Sequence, residues 1–274
     1  MNEVVERSIV KTYKKEIYGR FIKAIKDFKL INDGDKIAVC ISGGKDSFLL
    51  AKCMQLFQKY GNTKFEMIFI CMNPGYNALN LKLIKENSKK LEIDLHIFET
   101  DIFNIVDKQK TSPCYLCARM RRGYLYNEAL KKGCNKIALG HHFNDVVETI
   151  VLNLFYASEY KTMMPKLHSN NFEGLELIRP LYYVREEDVN RFVKSNNLTF
   201  LNCACNYVNS SEYKNNSKRN EIKELINELK KKNKAIDYNI FKSTFNVNLK
   251  TLIGYYNEDE SYIFLDNYKQ NKKP

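Results

Sequence analysis

The sequence predicts an α/β fold, a doubly wound and mostly parallel sheet carrying an N-terminal helix and a C-terminal helical extension. Three observations predict it. Short apolar runs of strand length alternate with longer amphipathic segments through residues 31–205, the pattern of strands joined by crossover helices. Clusters of Asn, Asp, Gly and Pro separate those runs. The two glycine-bearing motifs, at 42–47 and 140–145, each follow a strand-like run directly, which is where such a sheet gathers its ligand.

Residues 1–30 return Phe21, Ile22, Ile25, Phe28 and Leu30 at helical spacing. Asn32-Asp33-Gly34-Asp35 is a turn, and 36–41 reads as a buried strand. A helix is expected over 48–60, a strand over 65–72, a helix over 78–91 and a strand over 94–98. A basic helix then runs from Cys114 to about Lys132, followed by a strand at 136–139. An apolar helix spans 144–156, and a Lys-, Met- and Asn-containing loop leads to a strand at 175–178 and a helix at 185–196. From Tyr207 the chain turns polar, mostly one charged helix. These readings divide the chain into an N-terminal extension (1–30), a central domain (31–205) and a C-terminal extension (206–274).

Hydrophobic residues make up 44% of the 274-residue chain and charged residues 28%, ordinary for a folded soluble protein. There is no apolar run of about 18 residues to span a bilayer, and the charged N-terminus lacks a signal-peptide core. The expected location is cytoplasmic, with no membrane partner. Lysine and arginine outnumber acids 44 to 32, a net charge of +12, which draws polyanions; an AT-rich genome would inflate lysine as well. In a reducing compartment the eight cysteines are not a disulfide framework. Cys40, Cys53, Cys71 and Cys134 sit singly among apolar residues, as small hydrophobes do.

Ser42-Gly43-Gly44-Lys45-Asp46-Ser47 has the parts of an anion cradle. Its glycines allow a tight turn and close approach, the following helix offers unpaired N–H groups, and Ser42, Ser47 and Lys45 add donors. The spacing is not that of Walker A, and an ordinary strand-to-helix turn is the plain alternative. Cys114-Tyr-Leu-Cys117 and Cys203-Ala-Cys205 have the close spacing of metal ligands. Cys114 and Cys117 open a helix, where thiol pKa values fall, and a four-cysteine zinc knuckle is one use of two such pairs. Gly140-His141-His142-Phe143-Asn144-Asp145 should face the phosphate loop. Asp145 is a candidate for holding Mg²⁺ or steering protons, with helix capping by Asn144 or Asp145 as the plain alternative. Arg119, Arg121, Arg122, Tyr124 and Tyr126, with Lys161 and Lys166, suit a phosphate backbone and an unstacked base; a solvated basic helix face would look the same.

SGGKDS resembles the PP-loop of the N-type ATP pyrophosphatases. Further matches run in order along the chain: Ile25–Asp35, Cys114-xx-Cys117-Ala-Arg-Met-Arg-Arg-Gly123, Lys136–His142, Asn153–Tyr156, Met164–Leu167 and Ile178–Leu181. Together they resemble the tRNA 2-thiocytidine synthetase family over roughly residues 20–205. The resemblance implies ATP with Mg²⁺ on Ser42–Ser47 and against Gly140 and His141, adenylation of a tRNA pyrimidine, and catalysis tied to Asp145. It further implies a [4Fe-4S] cluster on Cys114, Cys117 and one later cysteine, with one iron open to bind sulfide. The later ligand is expected to be Cys205, because the family's ligand cysteine precedes a small or polar residue and then often an aromatic, as in Cys205-Asn206-Tyr207; Cys203 is the alternative, since the family separates its pair by two residues and only Ala204 stands between them here. The implied partners are tRNA, through its anticodon region, a sulfur donor that no motif identifies, and a second copy of the chain in a possible homodimer. Related readings are thiolation of another base, transfer of an amine such as lysine, a zinc-containing tRNA-binding module, and a nucleotide-gated redox sensor. The cysteine pairs disfavour amine transfer, which needs no metal.

Overall fold

The computed structural model describes residues 1–107, 113–201, 217–257 and 259–268; for Asn104, Asp107, residues 113–115 and Asn267 only the backbone path is described. The chain opens with Asn2–Arg7 (α1), continues through wide π-type turns at Ser8–Thr12 and Lys14–Tyr18, and ends this first arm as Gly19–Phe28 (α2). Its apolar face does not stand apart from the rest. Val5, Ile9, Ile17, Phe21, Ala24 and Ile25 are all at most 4% exposed and belong to the main core. Lys29 closes α2 in the left-handed region (φ 48°), the usual way a helix turns its last carbonyls back on the chain.

The central unit alternates Lys36–Cys40 (β1), Lys45–Tyr60 (α3), Glu66–Asn73 (β2), Ala78–Lys90 (α4) and Leu95–Glu99 (β3). It continues with Ile102–Asp107 (α5), Pro113–Lys131 (α6), Lys136–Ala138 (β4), Phe143–Tyr156 (α7), Lys166–His168 (β5), Glu176–Ile178 (β6) and Glu186–Ser195 (α8). The sheet order is β3-β2-β1-β4-β6-β5, parallel except for β5, which pairs antiparallel with β6. The expected doubly wound sheet is therefore present. The stretch expected to be a loop before β6 contains the short edge strand β5.

Winding reverses between β1 and β4, where Val39 lies opposite Ala138. Residues 41–44 and 139–142 thus leave the sheet side by side, at the carboxyl ends of adjacent strands. At the other end of the same strands, the buried Lys136 ammonium meets Asp35 and Glu176 at 3.0 Å each and the Leu30 carbonyl at 2.9 Å. That arrangement pairs a charge that would otherwise be costly to bury.

Beyond the central unit, Lys218–Lys232 (α9) and Ile236–Ser243 (α10) pack on α7. Gly254–Tyr256 (β7) and Ser261–Ile263 (β8) form a small antiparallel hairpin before Phe264–Tyr268 (α11). No described helix is long and apolar enough to cross a membrane.

Candidate active site

The turn from β1 into α3 is shaped by its glycines. Gly43 has φ +87°, and a Cβ there would lie 2.7 Å from Leu201 Cδ1 and 3.0 Å from the Ile84 side chain. Gly44 caps α3 with extended backbone, leaving the helix's first N–H groups directed at the loop. The serines brace the turn from within. The Ser47 hydroxyl donates to the Gly44 carbonyl at 2.8 Å, and the Ser42 N–H donates to Ser47 Oγ at 3.2 Å. From outside, the Leu201 N–H donates to the Gly43 carbonyl at 3.1 Å and the Tyr76 hydroxyl to that of Ser42 at 3.3 Å.

Gly140 stands across the cleft. A Cβ on it would come within 3.1 Å of the Ser47 nitrogen and 3.2 Å of the Asp46 carbonyl carbon, so the second loop can touch the start of α3 only with a glycine here. His142 follows as the cap of α7. Its N–H donates to Asp145 Oδ2 at 2.8 Å, and the Asp145 N–H donates back to His142 Nδ1 at 3.3 Å. Asp145 therefore does cap the helix, yet its carboxylate also lines the cleft. Its other oxygen accepts from Arg219 Nη2 at 3.0 Å, while Arg219 Nε donates to Glu148 at 2.8 Å.

The cleft encloses about 290 Å³ between Ser42, Asp46, Ser47, Gly140, His141 and Asp145, with Arg121 and Tyr76 at its sides. Polar atoms without partners are concentrated here. Asp46 Oδ1, His141 Nδ1 and Arg121 Nε are buried and make no hydrogen bond among the described residues, an arrangement that a polar ligand would satisfy. Burial pushes the His141 pKa down to about 4 despite Asp145 nearby, so the ring is neutral at physiological pH. Burial acts to raise the Asp145 pKa, but His142 and Arg219 outweigh it and hold the carboxyl below its ordinary value. Lys45 is also partly desolvated. Its pairing with Asp46 at 3.1 Å and Glu186 at 3.4 Å overrides that and keeps it firmly charged.

Helix α6 brings the cysteine motif to the same place. Cys117 is half-buried against the apolar cluster of Met72, Ile102 and Val106, and Arg121, one turn later, reaches the cleft and lies over the Phe103 ring at 5.6 Å. A thiol donor in an apolar shell beside a polar cleft fits a thiolate-held inorganic group. Cys114 lies in the first turn of α6; its side chain, and both Cys203 and Cys205, fall outside the described residues. Arg119 and Arg122 turn away from the cleft into a second cavity with Tyr126 and the β5–β6 turn. Lys161 pairs with Glu159, and Lys166 with Glu176 at 3.5 Å. Cys40, Cys53, Cys71 and Cys134 are buried, as their apolar neighbours predict.

Sequence reasoning missed the acidic and basic partners that frame the loops. Arg219 sits in what reads as a plain charged helix, and Glu186 in an acidic first turn. Lys223, one turn after Arg219, pairs with Glu186 at 2.6 Å, so α9 reaches both walls of the cleft.

A glycine-built anion cradle at the switch point of a parallel sheet, faced by a capped carboxylate and flanked by a cysteine helix, defines a nucleotide-binding α/β protein of the PP-loop class. Residues 4–229 match the family model described as a PP-loop domain. The tRNA-cytidine(32) 2-sulfurtransferase of Geotalea uraniireducens is 36% identical over 241 residues, covering 86% of this chain and 93% of that protein. The protein of the same name from Geobacter sulfurreducens is 34% identical over 242 residues, covering 87% and 92%. Among solved structures, the U34-tRNA thiolase NcsA from Methanococcus maripaludis, with its [4Fe-4S] cluster, superposes with a TM-score of 0.66 at 20% identity, covering 83% of this chain and 77% of that one. The chain belongs to the PP-loop family and, within it, to the tRNA-cytidine 2-sulfurtransferases.

Proposed function

We propose that this protein is an ATP-dependent tRNA sulfurtransferase that replaces the 2-oxygen of a tRNA cytidine with sulfur. The observation that carries the reading is convergence: the phosphate loop, the Gly140–Asp145 corner and Arg121 of the cysteine helix line one cleft. The names of the relatives supply the substrate class.

In this reading the ATP phosphates lie on residues 42–47, where the N–H groups of α3 and Lys45 receive them and Lys45 exchanges Glu186 for phosphate. Asp46, one of whose carboxylate oxygens accepts no hydrogen bond among the described residues, and Asp145 are the groups that would hold Mg²⁺. The pyrimidine O2 attacks the α-phosphorus, the α–β bridging bond breaks and pyrophosphate leaves. The base then carries AMP as a good leaving group at C2. Neutral His141 donates or accepts a hydrogen bond at the reacting nucleotide without adding charge, and Arg121 offsets the negative charge that develops there. A [4Fe-4S] cluster on Cys114, Cys117 and Cys205 would supply sulfur as metal-held sulfide. Cys117 lies one turn from Arg121, so sulfur and activated base would meet at the same end of the sheet.

Mass-spectrometric nucleoside analysis of tRNA from cells with and without the gene tests this, with rescue by wild type and by Cys114→Ala. Loss of 2-thiocytidine restored by wild type alone is the expected result. Loss of a different thionucleoside would move the substrate to another base, and an unchanged set would refute thiolation.

A further inference from the structure

Beside the first residue of α7, a separate cavity of about 410 Å³ is enclosed by α2, the segment at 183–185 and α10. Its floor is aromatic. Phe241 is buried, with ring centroids 5.0 Å from Phe143, 5.9 Å from Tyr183 and 5.3 Å from Phe245. At the rim, Tyr238 and Phe245 are each 50% exposed, so two large rings face solvent around an opening instead of completing the core.

The cavity is also cationic. Arg20, Lys23, Arg185 and Lys242 line it against Asp27 as its one lining acid. Arg185 stacks over Phe143 at 4.6 Å and is held by Asp237, Lys23 lies over Tyr183 at 5.5 Å, and Arg20 is tied to Asp188 at 2.8 Å. Lys242 sits over Phe245 at 5.3 Å and has no carboxylate partner among the described residues. Ring faces next to cations are what a stacked base with its own phosphate requires, and the volume suits a ligand of that size. Lys23 also pairs with Asp27 at 2.5 Å, so Lys242 is the lining cation that a ligand's phosphate would answer.

We propose that this cavity holds an unpaired nucleotide of the RNA substrate, its base stacked at Tyr238 and Phe245 and its phosphate on Lys242. The proposal rests on the tRNA reading above. Its position gives it a role in positioning: Phe143 directly follows His142, which caps α7 and exchanges hydrogen bonds with Asp145, and Arg185 directly precedes Glu186, which holds Lys45. A nucleotide seated here would therefore lie beside the two segments that form the cleft.

The chain contains no tryptophan, so Phe245→Trp in the full-length protein installs a single tryptophan, selectively excitable over the tyrosines, at the rim. Unmodified tRNA transcript and a short single-stranded oligoribonucleotide should quench it, while duplex RNA should not. Stacking worth ~1–3 kcal/mol per base means that Tyr238→Ala and Phe245→Ala should each weaken tRNA binding about tenfold by anisotropy and raise KM more than they lower kcat, with ATP binding unchanged. Wild type that binds tRNA while the tryptophan stays unquenched and both variants bind normally would overturn the pocket alone. Quenching by free CMP as tight as that by tRNA would also overturn it, pointing to a free-nucleotide site. Failure of wild type to bind any tRNA would remove the tRNA reading and the pocket with it.

Discussion

Replacing Arg219 with glutamine should damage both the fold and the site, because its guanidinium lies between two largely buried carboxylates. Asp145 and Glu148 have side chains 21% and 8% exposed and stand 3.0 and 2.8 Å from it. Hydrogen bonds to charged groups are worth about 1.5–3 kcal/mol each, but Arg219 is itself 45% exposed, and solvent screening reduces the total. A net loss of about 2 kcal/mol is expected, and hence a fall in Tm of roughly 4–8 °C for a domain near this size. Glutamine keeps part of the hydrogen bonding, so the electrostatic effect should dominate. Asp145 is held below its ordinary pKa, against burial, by His142 and Arg219; a group depressed in this way stabilises the fold above its unfolded pKa and loses that contribution as pH falls through the folded one. Without Arg219 its folded pKa rises, so the acid limbs of stability and tRNA-dependent pyrophosphate release should both move to higher pH. Arg219→Lys should restore part of the stability but not the two-carboxylate fork. Calorimetry and a pH–rate profile are the assays. A glutamine variant with unchanged Tm and an unmoved acid limb would refute the assigned role.

Other outcomes follow from the same geometry. Gly43→Ala forces a β-carbon into left-handed backbone and to 2.7 Å from Leu201, so ATP affinity by calorimetry should fall at least tenfold, while Gly34→Ala, at φ +82° but in open space, should cost only stability. His141 titrates near pH 4 when folded against an ordinary 6.5; the unfolded chain binds more protons between those values, so stability should rise with pH across that window and His141→Gln should flatten the rise. Lys136→Ala would strand Asp35 and Glu176, which are buried, and should lower stability by about 3–5 kcal/mol in denaturant unfolding without altering nucleotide contacts. Cys117→Ala should leave ATP binding intact and abolish iron and acid-labile sulfide in the purified protein together with thiolation.

The parallel sheet was legible because β1 and β2 are nearly continuous apolar runs followed by glycine or proline turns, and their burial on both faces demands such runs. Strand β5 was not: three residues at an edge, Lys166–His168, carry no periodicity, and pairing with β6 supplies their order. The phosphate loop was legible because the whole run Ser42–Ser47 stands directly between a strand-like and a helical segment. The wall made by α9 was hidden because a lysine- and glutamate-rich helix reads the same whether its charges face water or a carboxylate; only tertiary placement distinguishes Arg219 and Lys223 from their solvated neighbours. Asp145 showed as a candidate, but whether it caps a helix or faces the cleft depends on where the helix starts, and it does both.

The tie between Asp145 and Arg219 also gives the protein a temporal order. The 74 residues separating them take roughly 4–15 s to synthesise at about 5–20 residues per second. During that interval the nascent chain carries the acidic corner without its counter-cation. Asp145 and Glu148 repel each other until α9 emerges. A helix that follows the sheet domain in the chain thus completes the electrostatics of the corner after β4.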